Sequence, residues 1–156
     1  IARRFGSTML VGAGTVMSPD AAQQVADAGG RLIVTPHADV SVTAKAKAMG
    51  LFAVPGFFTP TEAFALLAAG ADALKLFPAE GASPQVLSAM RAVFPPETAV
   101  LAVGGVSAAN LAAWRKAGAA GYGIGSSIYK PGDDAGTVRV KAKALVAALK
   151  ASEQGA

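Results

Sequence analysis

A single lysine interrupts the apolar run Ala73-Leu74-Lys75-Leu76-Phe77-Pro78. The run is too short for a helix and is stopped by proline, so it reads as a buried strand carrying one charge. Alternation along a strand puts Ala73, Lys75 and Phe77 on one face and Leu74 and Leu76 on the other. An ammonium group in a low-dielectric setting lowers its pKa, and the free amine that results can attack a carbonyl carbon to form a Schiff base. A strand lysine can also pack its stem and carry its head to water, so the rest of the chain has to decide.

Two glycine motifs offer a second kind of chemistry. Gly104-Gly105-Val106 precedes Ser107, and Gly123-Ile124-Gly125-Ser126-Ser127 follows the last apolar strand. Glycines let backbone N–H groups approach an anion, and a helix start adds a favourable dipole, so the pair suggests a phosphate site; tight turns that merely need glycine are the alternative. Thr15, Thr35 and Thr59 lie just past strand ends, where hydroxyls could orient a carboxylate or carbonyl, though each also suits a cap or turn. His37 follows Pro36 and could face the same end of the fold. Glu62 reads as part of a helix cap and Glu80 as a loop carboxylate, and neither is a compelling base for turning a lysine imine into an enamine.

Composition narrows the chemistry. The 156 residues are 53% hydrophobic and 15% charged, with no cysteine and one histidine. Disulfides, thiolate nucleophiles and most metal sites are excluded, and neither a metal nor another cofactor is expected. The net charge of +4 favours anionic ligands. The basic residues are scattered, so nucleic acid is not an expected partner. No run reaches the roughly 18 apolar residues of a membrane span and no signal peptide opens the chain, so a cytoplasmic protein with no membrane contact is expected.

The elements that must position these residues repeat one pattern. Ile1 to Gly6 looks like the last turn of a helix closing on glycine. Strands are expected at Met9–Ala13, Arg31–Thr35, Phe52–Pro55, Ala73–Phe77, Ala99–Val103 and Gly121–Gly125. Helices should start at Ser18-Pro19, at Asp39 or Ser41, at the capping box Thr59-Pro60-Thr61-Glu62, at Ser83-Pro84, at Ser107 and near Asp134, with Gly29, Gly50, Gly70 and Gly118 ending four of them. Six strands alternating with six helices every 20 to 25 residues or so call for parallel βαβ units. An open doubly wound sheet and a closed (β/α)8 TIM barrel both fit. Gly12-Ala13-Gly14-Thr15 lacks the third glycine of a dinucleotide fingerprint, whereas glycine pairs after the last two strands match the phosphate loops that follow barrel strands seven and eight. The chain is therefore expected to supply six C-terminal βα units of a TIM barrel over residues 1–156, with two more units upstream.

With Lys75 at a strand end, Gly-Ala-Gly-Thr-Val at 12–16, Val-Pro-Gly at 54–56, Leu-Phe-Pro-Ala-Glu at 76–80 and Gly-Gly-Val at 104–106, the whole chain resembles the class I keto-deoxy-phospho-sugar acid aldolases. The resemblance implies an imine between Lys75 and pyruvate or a phosphorylated keto sugar acid. It places Thr15, Thr35, Pro36, Pro55, Phe77 and Val103 around the substrate and Gly104, Gly105, Gly125 and Ser126 around its phosphate. It also implies a homotrimer, for which Phe57-Phe58 was a candidate exposed contact. Thr61-Glu62-Ala63-Phe64, Asn110-Leu111 with Trp114, Gly-x-Gly-Ser with Tyr129, and Val103 where gluconate-specific members carry threonine point to the galactonate epimer. The alternatives are a gluconate or 4-hydroxy-2-oxoglutarate substrate, or a phosphate-binding barrel whose chemistry is not aldol cleavage. Two departures stand out. The family's acid/base glutamate and first-strand arginine would sit on the upstream units, leaving this chain's site incomplete and its turnover low, and His37 occupies a position where galactonate enzymes often have asparagine.

Overall fold

Helix-start signals are used where they stand, with one exception. The computed structural model describes residues 1–154, and the chain divides into two units, Ile1–Phe77 and Pro78–Ala156.

In the first unit a single helical turn, α1 (Ala2–Phe5), precedes β1 (Gly12–Ala13), α2 (Pro19–Asp27), β2 (Leu32–Val34), α3 (Val40–Ala48), β3 (Phe52–Val54), β4 (Gly56–Phe57), α4 (Pro60–Ala68) and β5 (Leu74–Leu76). Ser18 caps α2 by accepting from the Ala21 N–H at 3.1 Å. Asp39, not Ser41, caps α3. The capping box of Thr59 and Glu62 closes the start of α4, and Gly29, Gly50 and Gly70 all adopt positive φ after their helices, the conformation that lets glycine end a helix cheaply. Gly6 does not: its φ is −63°, so α1 ends without a left-handed residue. Met9 and Leu10 lie outside β1 and are 60% and 44% exposed.

The pairings are parallel and follow chain order, β1 with β2, β2 with β3, and β4 with β5, while β3 and β4 belong to different sheets. A doubly wound sheet requires the order to reverse, and no reversal occurs within the unit. The expected strand Phe52–Pro55 is split. Pro55 has no N–H to give a ladder, and the chain resumes on its far side as β4, a strand beyond the expected bounds. Phe57 is consequently buried at 2% exposure, whereas Phe58 is 41% exposed, so only the second of the two expected contact phenylalanines is available. Val16, Ile33, Val42, Ala46 and Leu51 form the core under β1–β3, and all three residues of β5 are buried, as a strand covered on both faces must be.

The second unit holds a short 3-10 turn (Ala79–Gly81), α5 (Pro84–Arg91), β6 (Val100–Val103), α6 (Leu111–Lys116), β7 (Gly121–Gly123) and α7 (Ala135–Gln154). β6 and β7 are parallel, with Leu101 opposite Gly121 and Val103 opposite Gly123. A Cβ at Gly123 would come within 2.6 Å of a Val103 methyl, and one at Gly121 within 2.9 Å of a Leu101 methyl, so these two glycines make room for the branched side chains beside them. The exception among the helix starts is Ser107. The α6 helix begins at Leu111 behind Asn110, and the residues from Ser107 to Asn110 form a turn in which the Leu111 N–H donates to the Ser107 carbonyl at 3.1 Å.

Candidate functional site

Lys75 is the middle residue of β5 and 8% exposed. Its N–H donates to the Pro55 carbonyl at 2.9 Å, which locks the strand beside the Pro55 break and leaves the side chain to point from a fixed backbone. The ammonium nitrogen sits 4.1 Å from the centroid of the Phe77 ring, showing that residues 75 and 77 share a face as alternation requires. No carboxylate among the described residues pairs with it. Burial therefore holds the Lys75 ammonium below the usual lysine range, the direction that raises the free-amine fraction. A desolvated amine flanked by an aromatic face and lacking a counter-ion is equipped to add to a ketone.

The turn after β2 is built onto this lysine. Gly56 stands in register with Lys75, so the two point to the same face. A Cβ on Gly56 would lie 2.6 Å from the Pro36 carbonyl carbon and 2.9 Å from the His37 nitrogen. Glycine is obligatory there because the Pro36–His37 peptide fills that space. Thr35 holds the turn down. Its buried hydroxyl donates to the His37 carbonyl at 2.6 Å and accepts from the Gly56 N–H at 3.1 Å, a structural duty beside the substrate role considered above. Pro55 is fully buried and meets Lys75 through its carbonyl, while Pro36 is half-buried. The structure thus brings Lys75, Phe77, Pro55, Thr35, Pro36 and His37 together.

His37 lies in the loop after Pro36, as the sequence indicates. Its Nε2 lies 3.7 Å from Asp39 Oδ2, and Nδ1 is shut off from solvent with no hydrogen-bond partner among the described residues. An orphaned buried nitrogen costs about 1–3 kcal/mol. Asp39 is the α3 cap, and the hydroxyl of Ser41 first, then the Val42 N–H, holds its carboxyl below the usual range. Thr15, exposed just past β1, has φ 57°, a region β-branched residues rarely enter and that costs about 1–2 kcal/mol. Such outliers cluster at functional sites. The next residue pins it, the Val16 N–H donating to Val34 at 3.2 Å.

In the second unit Val103 ends β6 half-buried, packed on Gly123. Gly104 and Gly105 follow with φ of 105° and 66°, a pair of left-handed residues only glycine takes without strain. Their neighbours leave no room for side chains either: a Cβ on Gly104 would be 3.2 Å from the Ala79 nitrogen, and one on Gly105 2.8 Å from Glu80 Oε2. Asn110, given no role by the sequence reading, clamps this loop by donating to the Gly105 carbonyl and accepting from the Ser107 N–H, both at 2.9 Å. The helix dipole expected at Ser107 is displaced to Leu111, on a helix of six residues, and the exposed Glu80 carboxylate lies against Gly105. Gly125 and Ser126 sit past the end of β7 in an exposed turn, where the Gly125 carbonyl accepts from the Ile128 and Tyr129 N–H groups at 3.0 and 3.1 Å. Glu62 is spent on its cap, accepting from the Phe58 and Thr59 N–H groups at 2.8 and 2.7 Å.

The chain is similar to known proteins in sequence and fold. A family model described as KDPG and KHG aldolase matches residues 1–144. The chain is 47% identical over 142 residues to a probable 2-dehydro-3-deoxy-6-phosphogalactonate aldolase of Rhizobium meliloti (strain 1021), covering 91% of this chain and 67% of that protein. It is 43% identical over 150 residues to the 2-dehydro-3-deoxy-6-phosphogalactonate aldolase of Escherichia coli (strain K12), covering 96% and 73% respectively. A solved structure described as native KDPGal superposes with a TM-score of 0.97 at 43% identity, over 99% of this chain and 75% of that one. The parallel α/β fold is that of these barrel aldolases.

Proposed function

Because the chain belongs to the KDPG and KHG aldolase family, we propose that it is a class I aldolase cleaving 2-dehydro-3-deoxy-6-phosphogalactonate to pyruvate and glyceraldehyde 3-phosphate, with Lys75 as the imine-forming residue. The observation that carries the role of Lys75 is its burial without a counter-ion. Its amine adds to the C2 ketone and water leaves, giving an iminium. As the C4 hydroxyl gives up its proton, the C3–C4 bond breaks, its electrons pass into the iminium, and the aldehyde departs. The enamine left on Lys75 takes a proton at C3, and hydrolysis frees pyruvate and the amine. The protonated imine is the electron sink that a divalent ion provides in metal-dependent aldol chemistry, so no metal or other cofactor is required.

Phe77, stacked on the lysine, shields the imine from bulk water. Thr15, Thr35, Pro36, Pro55 and Val103 would border the substrate, and Gly104, Gly105, Gly125 and Ser126 would receive its phosphate. The left-handed glycine pair and the open turn at Gly125 favour this reading; Glu80 opposes it and would have to swing away. The galactonate epimer is favoured by the names of both relatives and by Val103. The assembly we expect is a cytoplasmic homotrimer.

The test is reductive trapping. The intact protein, incubated with pyruvate and borohydride, should gain one reduced pyruvyl group on Lys75, and cleavage should be indifferent to a chelator. No adduct, or activity abolished by chelation, rules out the imine mechanism.

A further inference from the structure

Resting on the imine role of Lys75, we infer that His37 reads the substrate: its imidazole takes a hydrogen bond from a hydroxyl on the carbon chain of the keto acid held at Lys75. Placement comes first. The Pro36–His37 peptide occupies the space a side chain at Gly56 would fill, and Gly56 is in register with Lys75. The peptide therefore lies on the lysine's own face, but it continues β2 on the far side of the 52–57 segment, since the Thr35 N–H donates to Val54 and the Lys75 N–H to Pro55, which puts it two strand spacings (~10 Å) from the lysine's strand. Anchoring comes second. Thr35 fixes the His37 carbonyl at 2.6 Å, and the Asp39 carboxylate stands 3.7 Å from Nε2 while itself pinned by the Ser41 and Val42 N–H groups. In a neutral imidazole one ring nitrogen carries a lone pair, and that nitrogen needs a donor.

Among the described residues Nδ1 has no partner and is shut off from solvent as the ring stands, while the side chain as a whole is 38% exposed; a turn about Cβ–Cγ, which gives up the Asp39 contact, is what presents that nitrogen to a ligand. The carboxylate and phosphate of a phosphorylated keto acid are acceptors. Apart from the iminium itself, its hydroxyls are the donors, and pyruvate has none. His37 thus distinguishes the full substrate from the product that remains on the lysine.

This difference sets the experiment, done on the intact protein. His37→Phe keeps a ring of similar size and removes both nitrogens. It should trap pyruvate under borohydride within about twofold of wild type while kcat/KM for the hydroxylated phosphorylated keto acid falls roughly tenfold, the worth of one hydrogen bond. His37→Gln, whose amide can still meet a hydroxyl, should stay within about threefold of wild type. Trapping and cleavage falling together in both variants would show a merely structural role and overturn the assignment, as would cleavage unchanged in His37→Phe with trapping intact. Failure of wild-type protein to trap pyruvate would instead overturn the imine reading, and this assignment with it.

Discussion

Burial without a counter-charge lowers the pKa of Lys75 and makes it a liability to the fold. Its folded pKa lies below the unfolded value, so between the two the unfolded chain binds more protons and stability rises with pH; below the folded pKa the penalty is complete. Lys75→Met, which keeps the length and removes the charge, should abolish the pyruvyl adduct and stabilise the protein by roughly 1 kcal/mol at neutral pH, with the advantage shrinking as pH climbs towards 10.5. Thermal melts across pH would show it; a constant difference would mean burial is not the cause. Lys75→Arg tests the rival chemistry, because arginine keeps the charge and cannot form the imine. Glu80 invites the opposite change. A carboxylate near a bound phosphate costs about 1 kcal/mol at 4 Å even in water, so Glu80→Gln should lower KM for a phosphorylated substrate about fivefold and leave pyruvate trapping alone. An unchanged KM would remove the phosphate from Gly105. Lys75 was legible in the sequence because its charge contrasts with every neighbour; the Glu80–Gly105 contact was not, because residues 25 apart in sequence meet only after folding.

At the scale of elements, the local grammar was readable wherever a cap and a stop are both chemical. Ser18, Asp39, Thr59 with Glu62, and Ser83 start their helices as their side chains dictate. Ser107 misled because the competing residue, Asn110, bonds both Gly105 and Ser107 and so holds the chain in a turn before the helix can begin. β4 was hidden by its length and by Pro55, which ends one pairing and allows the next. That short strand is what joins His37 to Lys75, and Gly56 is its most sensitive position. In Gly56→Ala the new methyl would press on backbone atoms of Pro36 and His37 at 2.6 to 2.9 Å, which cannot give as a flexible side chain can. The expected cost is roughly 1–3 kcal/mol, with a slower pyruvate trapping rate because the lysine's neighbour is displaced. Thr35→Val should cost a similar amount by leaving the Gly56 N–H and the His37 carbonyl unpaired. Denaturant unfolding of the two variants would measure both; a Gly56→Ala protein as stable as wild type would disprove the packed turn.

At the scale of the whole molecule, six strand–helix repeats, each with its own caps and stops, and the glycine pairs after the last two strands made the barrel fold legible. Assembly was less so. No period or motif marks a subunit surface, and the one contact suggested by the sequence was half wrong, since Phe57 turned inward with β4. What remains is a group of aromatic side chains in the first unit: Phe52 at 45%, Phe58 at 41% and Phe64 at 45% exposed. A whole aromatic ring buries on the order of 150–250 Å², and the exposed part of these three is the kind of surface that an interface between copies covers. If α4 and the residues leading into it carry the trimer contact, Phe58→Glu with Phe64→Glu should place charges where apolar area would otherwise be buried. Light scattering on the intact wild-type protein should give three times the protomer mass, and the double variant should dissociate at micromolar concentration. Pyruvate trapping on its Lys75 should persist, because the face proposed to form the imine is built from β4, β5 and the turn at His37 within one chain. A monomeric wild-type protein would remove the trimer, and a double variant that stays trimeric would move the contact away from α4.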